Sequence, residues 1–110
     1  MKLLFVILNS ADRLEEVLEG LIEVGVTGAT VVDSVGMGHI IEGVPLFAGM
    51  RNLFRGAKPR NNMIFSVVRD DQATEALQVL DKIMGCTGGR GLGIAFTLPI
   101  DNAIGFCKEP

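Results

Sequence analysis

Lys2–Asn9 (KLLFVILN) is an almost unbroken apolar run of strand length. Such a run predicts a central strand with both faces covered. From Ala11 to Val24 the period changes. Leu14, Val17, Leu18, Leu21, Ile22 and Gly25 recur at the spacing of one helix face, with Glu15, Glu16, Glu19 and Glu23 largely opposite. Ser10 offers an N-cap, and Gly25 supplies the C-terminal stop. Thr27–Val35 (TGATVVDSV) is apolar and β-branched and predicts a second strand.

Between Gly36 and Arg60 the periodicity dissolves, punctuated by Gly36, Gly38, Gly43, Pro45, Gly49, Gly56 and Pro59. A connection of that length is usually functional or disordered. Asn62–Arg69 (NMIFSVVR) predicts a third strand. Asp70–Gly85 predicts a second helix, with Ala73, Ala76, Leu77, Leu80, Ile83 and Met84 on one face. Asp70 and Asp71 suit its N-cap and first turn, where negative charge is favourable. Cys86–Gly93 is a glycine-rich turn, and Ile94–Leu98 a fourth strand ended by Pro99. The pattern assigns no element to Ile100–Pro110.

The order βαββαβ points to an α+β, ferredoxin-like fold. Its antiparallel four-stranded sheet has the order 4-1-3-2, with two helices on one face. Right-handed crossovers place the third strand between the first and second. Both glycine-rich segments then lie at one end of the sheet. Their strands are its two edges, roughly 14 Å apart at three strand spacings.

Composition adds an oligomer to this picture. The 110 residues fit a single domain, 1–110. They are 48% hydrophobic, with no Trp or Tyr, and mean hydropathy is +0.40. A small domain has little interior to hide this, so a subunit interface is the natural destination for the excess. Net charge is −3, without a basic stripe, which argues against nucleic acid as a partner. The N-terminal apolar run is shorter than a signal h-region, and no run approaches membrane-spanning length. The expected location is the cytoplasm, with no membrane insertion. Cys86 and Cys107 have no metal-ligand spacing, His39 has no nearby Cys or His, and no metal is expected. No nucleophile–base set is present, so no enzyme is expected.

Three segments carry candidate chemistry. In Thr87-Gly88-Gly89-Arg90-Gly91-Leu92-Gly93 the glycines let successive N–H groups converge into a nest for phosphate oxygens, and Arg90 adds a planar donor. The alternative is a helix C-cap and a tight turn. Gly36-Met37-Gly38 is either part of the same site or a strand terminator. The long loop holds Leu46, Phe47, Met50, Arg51 and Phe54. It is either a docking arm with an apolar tip and arginine anchors, or a segment packed on its own oligomer.

In the order and spacing of its motifs the chain resembles the PII nitrogen-regulatory signalling proteins. Glu23–Gly38 (EVGVTGATVVDSVGMG) is similar to that family's EVG-(I/V)-TGMTV…GFG segment, with Thr30, Gly36 and Gly38 on matching positions. Thr87-Gly88-x-x-Gly91-x-Gly93 resembles its TGxxGxG loop. Lys58 sits where the family has a nucleotide-contacting lysine, and the long loop takes the place of its T-loop. The resemblance implies a homotrimer that binds an adenine nucleotide (ATP, ADP or AMP) in clefts between subunits. The contacts would come from Thr30, Gly36, Met37, Gly38, Lys58, Thr87, Gly88, Gly89, Arg90 and Gly91. It further implies control of a partner protein, such as a transporter or a metabolic enzyme, through the T-loop.

The chain also departs from the family. Ile94 replaces the lysine after the glycine turn, His39-Ile40 replaces Arg-Gln, and the RTGE-type C-terminal segment is absent. Without tyrosine, the family's uridylylation cannot occur. A trimeric docking protein with a decayed nucleotide site and a CutA-like metal-responsive trimer are the alternatives. The second is disfavoured by the scarcity of His and Cys.

Overall fold

A computed structural model of the chain describes residues 1–46, 49, 60–85 and 91–105. Strand β1 (Lys2–Leu8) leads through a 3-10 turn (Ala11–Arg13) into α1 (Leu14–Glu23). Then follow β2 (Thr30–Val35), a short helix α2 (Met37–Glu42), β3 (Arg60–Val68), α3 (Asp70–Met84) and β4 (Gly93–Pro99). The four strands form one sheet in the order β2-β3-β1-β4, with every neighbouring pair antiparallel. This is the ferredoxin-like order read from the sequence.

The core lies between the sheet and the helices. Leu4, Val6 and Leu8 of β1 meet Ile64 and Val68 of β3, Val17 and Leu21 of α1, and Ala73, Ala76, Leu80 and Met84 of α3. Each large aliphatic side chain removed from water here stabilises the fold by roughly 1.5–3 kcal/mol. The expectation that β1 is covered on both faces is corrected. Its burial alternates, with Leu3, Phe5 and Ile7 only half-buried. Both helices pack on the other face, so a continuous apolar run here serves one core and one bare face.

Several boundaries differ from the sequence reading. The first helix opens as a 3-10 turn, and Ser10 makes no side-chain cap. Ile22 points outward at 60% exposure, because the apolar stripe is wider than the contact it serves. Gly25 ends the helix as expected, with φ +86°. Strand β2 begins at Thr30, not Thr27. The carbonyls of Gly25 and Gly28 accept from the Gln72 amide (3.0 Å) and the Ser66 hydroxyl, which binds that turn to α3 and β3 before the ladder starts. Strand β3 begins earlier than expected, at Arg60, opposite Val35. The N-cap of α3 is Arg69, whose N–H donates to Gln72 Oε1 at 3.0 Å; Asp70 and Asp71 occupy the first turn. Met37–Glu42, read as loop, is helical.

The uncovered face of the sheet is apolar in registered rows. Leu3 pairs with Val67 and Leu98, and Ile7 with Met63 and Ile94. Between those rows Phe5 stacks on Phe65 (centroids 6.2 Å apart) and on Phe96 (5.3 Å). Ile94 is 56% exposed and Leu98 48%. No helix among the described residues is long and apolar enough to cross a membrane.

Candidate functional site

The end of the sheet where β1 stops is built from backbone. Helix α3 ends with Gly85 N–H donating to Asp81 O at 2.9 Å. Leu92 N–H then donates to Met84 O at 3.1 Å, and Asn9 N–H to Leu92 O at 2.8 Å. These bonds fix the two feet of the glycine-rich turn beside the last residue of β1. Gly93 is held at φ +155°, and a Cβ there would overlap the Ile7 carbonyl oxygen. Gly93 therefore lets β4 approach β1 closely at this point. Gly91 is described and exposed. Thr87, Gly88, Gly89 and Arg90 lie outside the described residues.

The other half of the candidate site follows β2. Gly36 is extended (φ −74°, ψ 153°) and precedes α2, whose Ile40 N–H donates to Gly36 O at 3.3 Å. Gly36-Met37-Gly38 thus joins a strand to a helix as well as ending the strand. Gly38 is buried, while Met37 is 66% exposed. Thr30 stands at the opposite end of β2, roughly 20 Å from Gly36 at extended spacing, and is not brought to the other residues within one chain. Arg60, the last cation of the long segment, starts β3 directly across from Val35. Beside it Asn62 Nδ2 donates to Asp33 Oδ1 at 2.9 Å, and Ser34 Oγ to Asn61 O at 3.2 Å. Lys58, Phe47, Met50, Arg51 and Phe54 lie outside the described residues. Leu46 is 84% exposed.

Two features of the structure were not legible in the sequence. One is an open cleft of about 600 Å³ between α3 and the free edge of β4, lined by Leu77, Gln78, Leu80, Asp81, Ile94 and Ala95 among others. It arises from the crossover geometry, which no local pattern encodes. The other is Gln72, a polar residue only 3% exposed in the core; apolar periodicity cannot detect it. Among the described residues no group of His, Cys, Asp and Glu could hold a metal ion.

No curated protein matches the chain at the level of sequence. The sequence model of the nitrogen regulatory protein P-II family matches residues 1–109, nearly the whole length. Proteins of that family are signalling regulators and not enzymes. The βαββαβ order, the strand order 2-3-1-4 and the long β2–β3 connection agree with that match. The chain therefore belongs to the nitrogen regulatory protein P-II family.

Proposed function

We propose that this protein is a PII-type regulator that binds an adenine nucleotide between the subunits of a homotrimer and controls a partner protein through the segment between β2 and β3. The 110 residues act as one unit. The observation that carries this reading is the placement of the two glycine segments. Gly36–Gly38 and Gly91–Gly93 stand at the same end of the sheet but on its opposite edges, roughly 14 Å apart. Backbone N–H groups freed by glycine suit phosphate oxygens, and a nucleotide is long enough to reach between such segments. Gly36, Met37, Gly38, Lys58, Thr87, Gly88, Gly89, Arg90 and Gly91 are the proposed contacts. Thr30, at the other end of β2, is proposed to contact the nucleotide held by a neighbouring subunit.

The bare apolar face of the sheet supports an oligomer, since a half-buried row of Phe5, Phe65 and Phe96 beside exposed Ile94 and Leu98 is uncommon on a monomer. Leu46, Phe47, Met50, Arg51 and Phe54 are the proposed partner contacts. A thermal-shift screen against ATP, ADP, AMP and cyclic nucleotides tests the reading. A ligand that binds only the folded state adds about 2.7 kcal/mol at 100 times its dissociation constant, which gives a clear rise in melting temperature. If no adenine nucleotide raises it, the second reading holds: a docking trimer whose nucleotide site has decayed. That reading is favoured by Ile94, which puts an apolar side chain directly after the glycine turn.

A further inference from the structure

We propose that Ser66 and Gln72 are positioning residues for the nucleotide, holding the turn at residues 25–29 so that Gly28 and Thr30 meet the base end of the ligand. The inference rests on the nucleotide reading above and adds the residues that act behind the contact.

Ser66 and Gln72 are the buried polar side chains among the described residues, at 5% and 3% exposure. Burying a hydroxyl or an amide costs free energy unless it is hydrogen-bonded. Both are satisfied by one short turn. The Gln72 amide donates to Gly25 O at 3.0 Å, and the Ser66 hydroxyl donates to Gly28 O. Gln72 is itself fixed by the Arg69 N–H, which donates to its oxygen at 3.0 Å. Ser66 is fixed by the ladder of β3, opposite Leu4. The two tethers come from α3 and β3, 47 and 38 residues further along the chain.

The turn has little else to hold it. Its backbone bonds to α1 end at Val26, whose N–H donates to Leu21 O. The ladder with β3 starts only at Thr30. Val26 is buried, while Thr27, Gly28, Ala29 and Thr30 are all exposed. Few buried contacts and an exposed backbone would leave such a segment to open locally; the tethers set its position from the core. Gly28 has no positive φ, and a Cβ on it would meet nothing within 4 Å. Its own chain therefore gives no steric reason for glycine there. A glycine of that kind suits close approach of a ligand to the backbone. Thr30, two residues on, brings a hydroxyl that both donates and accepts, which matches the amino and ring nitrogens of adenine. With the phosphates on the glycine segments at one end of the sheet, the base is the part of the nucleotide directed toward the other.

Paired titrations test the assignment: ATP with ITP, ADP with IDP and AMP with IMP, which differ only in the base. In Ser66→Ala and in Gln72→Met the preference for adenine should narrow by about two- to tenfold, the net worth of one hydrogen bond. Ser66→Thr keeps the hydroxyl and should restore the preference. Gly28→Ala, which the fold has room for, should weaken adenine nucleotides with no fall in melting temperature. Equal losses for both members of a pair would mean general loosening and overturn the positioning role. An unchanged preference in the variants, or none in the wild type, overturns it as well. Hydrogen exchange of the unmodified protein supplies a measurement that needs no variant to fold. Saturation with the tightest-binding of ATP, ADP and AMP should slow the amides of Thr27, Gly28 and Ala29. Saturable binding that leaves those amides unchanged overturns this inference and leaves the regulator reading intact. A protein that binds no adenine nucleotide overturns both.

Discussion

The N–H of Leu92 donates to the carbonyl of Met84 at 3.1 Å, tying the start of β4 to the last residue of α3. One residue further on Gly93 decides whether β4 can follow β1. Replacing Gly93 by alanine would force a Cβ onto the Ile7 carbonyl at a backbone angle side chains rarely adopt. We expect a loss of stability of about 1–3 kcal/mol, read as a lower urea midpoint. An unchanged midpoint would show that the strand relaxes there without cost.

Gln72 joins three elements through one buried side chain. Its amide donates to Gly25 O and its oxygen accepts from Arg69 N–H. Gln72→Leu should cost about 1–3 kcal/mol, because it leaves both backbone groups without that partner. Exchange of the amides around Gly25–Ala29 should accelerate more than exchange in β1. Uniform acceleration would mean that the side chain has no local role.

The sequence made the strand order legible because the apolar runs and the two helical stripes are long and the crossover rule leaves few topologies. Its failures have local causes. MGHIIE is short and holds Gly38, so its helix α2 had no periodic signal. Thr27–Ala29 has strand composition, but Ser66 and Gln72 hold the turn beside it from across the fold. The apolar stripe of α1 could not show that Ile22 has nothing to pack against. For the site, the crossover rule placed both glycine-rich segments at one end of the sheet, on its opposite edges. The α3/β4 cleft and the position of Arg60 opposite Val35 depend on tertiary pairing and left no trace in the pattern.

Phe96 lies on the bare face of the sheet, stacked on Phe5 at 5.3 Å. Phe96→Asp places a charge in that apolar row. If the face is an interface, the variant should keep its circular dichroism spectrum and sediment as a monomer. A variant that keeps both its spectrum and the trimer mass would show that another surface holds the subunits together.

Asp71 titrates below the ordinary aspartate range, chiefly because its carboxylate accepts from the Arg69 side chain, at 3.2 Å. A depressed carboxyl stabilises the fold above its unfolded value, and that contribution disappears as pH falls through the folded value. The pair is exposed, so this contribution, present in full at neutral pH and lost only in acid, is small. Arg69→Ala should move the Asp71 midpoint upward in an NMR titration, toward the ordinary aspartate range. An unmoved midpoint would assign the shift to another group.

The central claim is that the glycine-flanked ends of β2 and β4 hold an adenine nucleotide between subunits. Titration calorimetry of AMP, ADP and ATP into the assembled protein tests it most directly. The account predicts saturable binding of at least one of them, with one nucleotide per chain in the trimer, and its loss in Gly88→Val if that variant keeps its fold and assembly. Absence of heat and of saturation for all three at millimolar concentration would contradict it.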